Sequence, residues 1–378
     1  MKANALDADV IRRVPKVLLH EHLDGGLRPE TVQELARETG YGELPEGCDT
    51  DAEALSDWFF RGASRGSLPQ YLEGFRHTIA LMQSATALDR IAFEFMEDMA
   101  ADGVVYAEVR FAPHFHTHAE LGLEGVMTAV LRGLRRGAEE FGVGFGLLVC
   151  AMRNESHELS EKLVELAVSF RNRGCVGFDL AGEEAGHPAK DHVRAFQYAQ
   201  RANFSITIHA GESFGPESIW QALQFCGAHR IGHGTRLIED IVIYDNKVIQ
   251  VGALAQYILD HRIPLELCLS SNVHTGATPS LEEHPFPYFL SSGYRVTLNT
   301  DNRLMSRTTM SAEYAIANAQ FGCCLNKLEL LSLNAMKSAF ASYGERCRFI
   351  YNRIKPGFAA LREELGLEAD GGSYMRPR

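Results

Sequence analysis

Short, nearly continuous apolar runs recur along this chain, each followed by a polar or glycine-containing break and a segment of helical period. Eight such runs stand at 16–20, 104–110, 143–150, 175–180, 204–209, 229–232, 264–269 and 294–300. Runs without polar alternation suit strands buried on both faces, which is the condition of a parallel sheet. The segments between them read as helices. In 157–173, Leu159, Leu163, Leu166 and Phe170 fall on one stripe, and in 29–40, Pro29 and Gly40 bracket a helix start and stop. Eight strands alternating with helices predict an α/β fold of the (β/α)8, or TIM barrel, type.

The expected organisation is one barrel domain over 1–366 with a tail over 367–378. The main departure is a helical insertion after strand one, about 41–103, with helical stretches at 53–60 and 68–83. An insertion there lies beside the catalytic mouth and is placed to act as a lid. Composition narrows the partners. A formal charge of −12 argues against general attraction to nucleic acid or to an anionic membrane surface. No apolar run approaches the ~20 residues needed to span a bilayer, and the first 20 residues lack a secretory core. Eight scattered cysteines form no CxxC pair, which suits buried thiols in a reducing cytoplasm.

In such a barrel the chemistry gathers at the C-terminal ends of the strands. Strand one ends in His20-Glu21-His22, and alternation sends both imidazoles to one side and Glu21 to the other. Strand five ends in His209, with Glu212 three residues on; strand six runs into Gly232-His233-Gly234; strand eight ends in Asp301-Asn302. Imidazoles and a carboxylate converging from separate strands form a donor set suited to zinc, with a position left for water. Glu212 can move a proton in the same cavity. His233, between two glycines, can orient the attacking water.

The segments LLHEHLDGGLRPET, YAEVRFAP, FDLAGEE, TIHAGES, RIGHGTRL, CLSSNVHTGA and TLNTDN, in this order from about Val14 to Tyr343, resemble the adenosine deaminase family of the amidohydrolase superfamily. The resemblance implies one zinc per chain held by His20, His22, His209 and Asp301, and a purine nucleoside substrate. It implies that Glu212 protonates purine N1 during attack at C6 and that His233 orients the nucleophile. Gly182 would offer its backbone amide to purine N3, and Asp24 would accept a bond from the ribose 5′-hydroxyl. The segment around Trp58, Phe59 and Tyr71 resembles the family's apolar gate.

One position departs from the family pattern: Asn302 stands where a second aspartate usually contacts purine N7. The expected reaction is hydrolytic deamination of adenosine and 2′-deoxyadenosine to inosine and ammonia, in purine salvage. The alternatives are a deaminase of a 5′-modified adenine nucleoside of the aminodeoxyfutalosine type, an adenine deaminase, or a binding relative without catalysis. Asp24 favours a nucleoside over a free base, and no lysine ends strand four to bridge two metals.

Overall fold

The structure is a computed structural model that describes residues 6–118, 121–245 and 247–367. All but the first residue of the expected tail lies outside them. Ten strands occur in chain order among the described residues: β1 (Lys16–Leu18), β2 (Val104–Phe111), β3 (Gly144–Met152), β4 (Cys175–Ala181), β5 (Ser205–Ala210), β6 (Arg230–His233), β7 (Ile241–Tyr244), β8 (Lys247–Val251), β9 (Leu265–Leu267) and β10 (Val296–Leu298). Eight of them form one parallel sheet in the order β1-β2-β3-β4-β5-β6-β9-β10. Its two ends meet. Glu21 and Asp301 bridge in parallel, His22 N–H donates to the Asp301 carbonyl at 2.7 Å, and Asp301 N–H donates to the His20 carbonyl at 2.9 Å. The expected (β/α)8 barrel is therefore present, and its closing seam is made by site residues.

The strands are shorter than their apolar runs at positions one, seven and eight. At position six the strand is Arg230–His233 rather than 229–232. The β7–β8 hairpin is absent from the eight-run reading. Its two runs, IVIY and KVIQV, pair antiparallel, and Asp245 takes φ +49°. Ile241 at its base is buried in the core, while Tyr244 near its tip is exposed.

In the stretch 41–103 the chain forms helices at Ala52–Ala63, Leu68–Leu72, Phe75–Leu81 and Ala85–Ala101. Asp51 caps the first by accepting from the N–H groups of Glu53 and Ala54. The single helix expected over 68–83 is broken near Gly74. A Cβ there would lie 3.0 Å from Met305 Sδ and 3.2 Å from the Phe59 ring, so the break also lets the backbone press against the barrel rim. Ala85–Ala101 packs along the barrel helix Leu123–Phe141. A Cβ on Gly133 would fall 2.2 Å from the Asp89 carbonyl oxygen, and one on Gly137 would fall 2.4 Å from Met96 Cβ. No helix among the described residues is long and apolar enough to cross a membrane.

Candidate active site

The four donors stand at the C-terminal ends of strands. His20 and His22 lie just beyond β1, His209 is the penultimate residue of β5, and Asp301 follows β10. One donor atom from each lies within 4.8 Å of all the others. His22 Nε2 is 3.0 Å from His209 Nε2, and Asp301 Oδ1 is 3.2 Å from His20 Nε2 and 3.6 Å from His22 Nε2. A tetrahedral zinc with donors at about 2.0–2.1 Å has edges of about 3.3–3.4 Å, so the spacing fits an ion of that size. His20 Nε2 is buried without a hydrogen bond of proper geometry, which is costly unless a ligand completes it. Glu21, between the two histidines, turns the other way and binds Thr300 and Arg303.

What aims the imidazoles is a set of charges inside the barrel. Glu266 Oε2 accepts from His20 Nδ1 at 2.8 Å, and Asp179 Oδ1 lies 3.2 Å from His209 Nδ1. Arg110 donates to Asp179 at 2.8 Å, to Glu266 at 3.0 Å and to the Leu19 carbonyl at 2.6 Å. Arg230 reaches Glu266 at 2.5 Å and Glu108 at 2.7 Å. Burial opposes ionisation of both carboxylates. His209 and Arg110 outweigh it at Asp179, and Arg230 and Arg110 outweigh it at Glu266, so both stay well below the usual carboxylate range. Two ionised acceptors require the proton on Nδ1 of His20 and His209, which leaves each Nε2 lone pair facing the centre. We expect Glu266→Gln to weaken metal affinity about 10–100-fold, read by competition with a chelator of known affinity; unchanged affinity would remove Glu266 from this orienting role.

His233, the last residue of β6, adopts φ +62°, as does Asp301. Two non-glycine residues in the left-handed region at one site are a strain that the surroundings hold in place. Asn272 Oδ1 is taken by Thr235 Oγ1 at 2.9 Å, His284 Nε2 at 3.2 Å and Cys268 N–H at 3.3 Å. Its amide therefore donates to His233 Nδ1 at 3.0 Å, and the ring proton of neutral His233 sits on Nε2. Burial, then His20 beside it, keeps His233 neutral far below its usual range. His233 Nε2 lies 3.6 Å from Glu212 Oε2. Ser271 donates to Asp301 Oδ2 at 2.6 Å, which leaves Oδ1 for the centre.

Glu212 sits on a loop clamped by Glu184. That carboxylate accepts from the N–H groups of Gly211, Glu212, Ser213 and Phe214 at 2.6, 3.0, 2.8 and 3.0 Å. Burial first, then Asp301 and Glu184, push the Glu212 pKa well above the ordinary carboxylate range. Its Oε1 is buried without a partner. Burial and the neighbouring carboxylates thus favour its protonated, hydrogen-bond-donating form.

A cavity of about 420 Å³ opens above these residues and is lined by His22, Asp24, Gly182, Glu212, His233 and Asn302, among others. Asp24 is buried with Oδ1 unpartnered, and the Asn302 side-chain oxygen is likewise unpartnered. Gly182 has φ +95°, which favours glycine at the cavity wall. The residues of the gate-like segment divide between two neighbouring cavities. Tyr71 lines the cavity with Leu68, Leu72, Phe75 and Phe115. Trp58 and Phe59 instead wall a separate cavity and pack edge-on against the His77 ring.

The residues that sequence reasoning passed over are Arg110, Asp179, Glu266, Glu184, Ser271 and Asn272. A trace of the first three exists: each is a charge inside an otherwise apolar run (VVYAEVR, where Glu108 is a second, CVGFDL and PLELCL), and an ionised side chain in a doubly buried strand demands a partner.

Comparison with known proteins agrees with this geometry. A family model described as adenosine deaminase matches residues 15–355. Adenosine deaminase 1 of Streptomyces coelicolor is 53% identical over 361 residues, covering 94% of this chain and 90% of that protein. The adenosine deaminase of Mycobacteroides abscessus is 52% identical over 361 residues, 94% of this chain and 98% of the relative. Among solved structures, adenine deaminase from Arthrobacter aurescens superposes with a TM-score of 0.81 at 25% identity, covering 93% of this chain and 99% of the other. With its barrel, its order of motifs and a family match over nearly its full length, the chain belongs to the adenosine deaminase family.

Proposed function

We propose that this chain hydrolyses adenosine and 2′-deoxyadenosine to inosine or deoxyinosine and ammonia, in purine salvage, with one zinc held by His20, His22, His209 and Asp301. The observation that carries the reading is the buried Glu212 carboxyl, its Oε1 unpartnered, beside four converged donor atoms in a nucleoside-sized cavity. Zinc bound there supplies a water acidic enough to attack at neutral pH.

The protein's own groups do the rest. His233, protonated on Nε2, donates to the attacking oxygen and fixes its direction. Glu212 moves one proton between the attacking water and ring N1. Protonation of N1 removes aromatic stabilisation and opens C6 to addition; as the C6–amino bond then breaks, the proton of the added hydroxyl passes to the leaving nitrogen, giving ammonia and the C6 carbonyl. Gly182 offers its amide to N3. Burial of the cavity floor keeps the exchanged proton from bulk solvent.

Asp24 separates a nucleoside from a free base. Its unpartnered oxygen is the acceptor for the 5′-hydroxyl, and a hydrogen bond to a charged group contributes about 1.5–3 kcal/mol. Asp24→Ala should therefore raise KM for adenosine about 10–100-fold and leave any weak turnover of adenine unchanged; an equal effect on both substrates would contradict the assignment. Asn302 makes a neutral bond to N7. Asn302→Asp should shift the kcat/KM ratio of adenosine to its 7-deaza analogue by about tenfold, the worth of one changed hydrogen bond. A ratio and turnover both unmoved by the substitution would show that Asn302 does not touch N7.

The acidic chain supports a small-molecule partner over nucleic acid. The described cysteines are all free thiols, which supports a cytoplasmic location.

A further inference from the structure

The opposite end of the barrel carries a cavity of about 350 Å³ with an unusual charge. Its walls come from the N-terminal ends of β5, β6, β9 and β10 and from the segment after the helix Leu325–Ser338. Arg262, Arg295, Lys337 and Arg346 line it, and none of the lining residues is acidic. Among the described residues none of these four pairs with a carboxylate: Arg262 and Arg346 donate only to the carbonyls of Gly293 and Lys337. His229 and His261 add two further nitrogen-bearing rings to the wall.

Such crowding is unfavourable without a counter-charge, and it occurs in a protein of net charge −12. Arg295 feels it directly. Burial, followed by the charges of Arg262 and Arg346, draws its pKa down. Its Nε is buried and lacks a hydrogen-bond partner. Arg230, fully buried at the cavity floor, also has an unpartnered Nη2 while its guanidinium lies 3.6 Å over the Phe340 ring. Two unsatisfied guanidinium nitrogens and four cations without a carboxylate partner in one concavity are what an anion with several acceptor oxygens completes.

We propose that this cavity at the base of the barrel is a binding site for a small phosphate-bearing anion. Guanidinium forks match phosphate oxygens in plane and spacing, and the volume admits one or two phosphoryl groups. The site lies apart from the catalytic cavity but shares Arg230 with its scaffold, since Arg230 also holds Glu266 behind His20.

The test is calorimetric titration of the metal-loaded protein with inorganic phosphate, pyrophosphate and citrate, repeated on Arg295→Gln/Arg346→Gln. The expected result is saturable binding of pyrophosphate, weaker binding of phosphate and weakest of citrate. The double variant should lose about tenfold or more in pyrophosphate affinity. Pyrophosphate affinity unchanged in the double variant would place the anion elsewhere, at the catalytic metal for example, and would overturn the proposal. So would absence of saturable binding to the unaltered protein, or citrate binding as tightly as pyrophosphate. Neutralising two crowded cations removes repulsion, so the variant's Tm without anion should equal or exceed the parent's. Only the parent's Tm should climb with pyrophosphate; a parallel rise in both would count against the site.

Discussion

Replacing Glu212 with glutamine should cut kcat for adenosine about 10³-fold or more while the protein keeps its full complement of metal. General acid–base groups contribute typically about 10²–10⁴-fold, or roughly 3–5 kcal/mol of barrier. Glu212 sits at the upper part of that range because one carboxyl serves both the water and ring N1. Glutamine retains the size and a hydrogen-bond donor but cannot release or take up the proton. Substrate binding should change little, so kcat falls and KM does not rise in step. Metal analysis of the purified variant separates this outcome from trivial loss of the centre. Residual activity within tenfold of the parent would take the proton transfer away from Glu212.

The second large effect is on stability. Arg110→Met should destabilise the protein by about 3–5 kcal/mol, because it leaves Asp179 and Glu266 buried with part of their compensation removed. That is a large share of the roughly 5–15 kcal/mol that holds a folded domain. The damage reaches the site as well. His20 and His209 are aimed by these two carboxylates, so metal affinity should fall together with the urea midpoint. A shift in stability below about 1 kcal/mol would show the network to be no stronger than a surface ion pair. Arg110→Lys, which keeps one charge but not the fork joining both carboxylates, should fall between the two.

The barrel was legible because doubly buried strands write themselves as unbroken apolar runs, and the alternation of strand and helix admits few other folds. The placement of His20 and His22 was legible for a local reason, the two-residue period of an extended chain. The rest is tertiary. Arg110 meets Asp179 and Glu266 across 69 and 156 residues of sequence, and no local pattern states which strand neighbours which. The clamp of Glu184 on the loop after β5 is invisible for the same reason, although the doubled glutamate of FDLAGEE hinted at a role. The resemblance to an apolar gate marked the segment around Trp58, Phe59 and Tyr71 but not which of its side chains face the cavity; Trp58 and Phe59 meet His77 instead. The β7–β8 hairpin escaped because its short β-branched runs were subsumed in the helical connection after β6.

Substrate turnover by the zinc-loaded protein is the most direct test of nucleoside deamination at this site. Adenosine, 2′-deoxyadenosine, adenine and AMP offered separately, with ultraviolet absorbance following loss of the amino group and ammonia measured in parallel, distinguish the possible activities. The expected result is one ammonia per inosine or deoxyinosine, with kcat/KM for the two nucleosides far above that for adenine or AMP. Zinc bound at one equivalent with no turnover of either nucleoside, or a preference for adenine over adenosine, would contradict it.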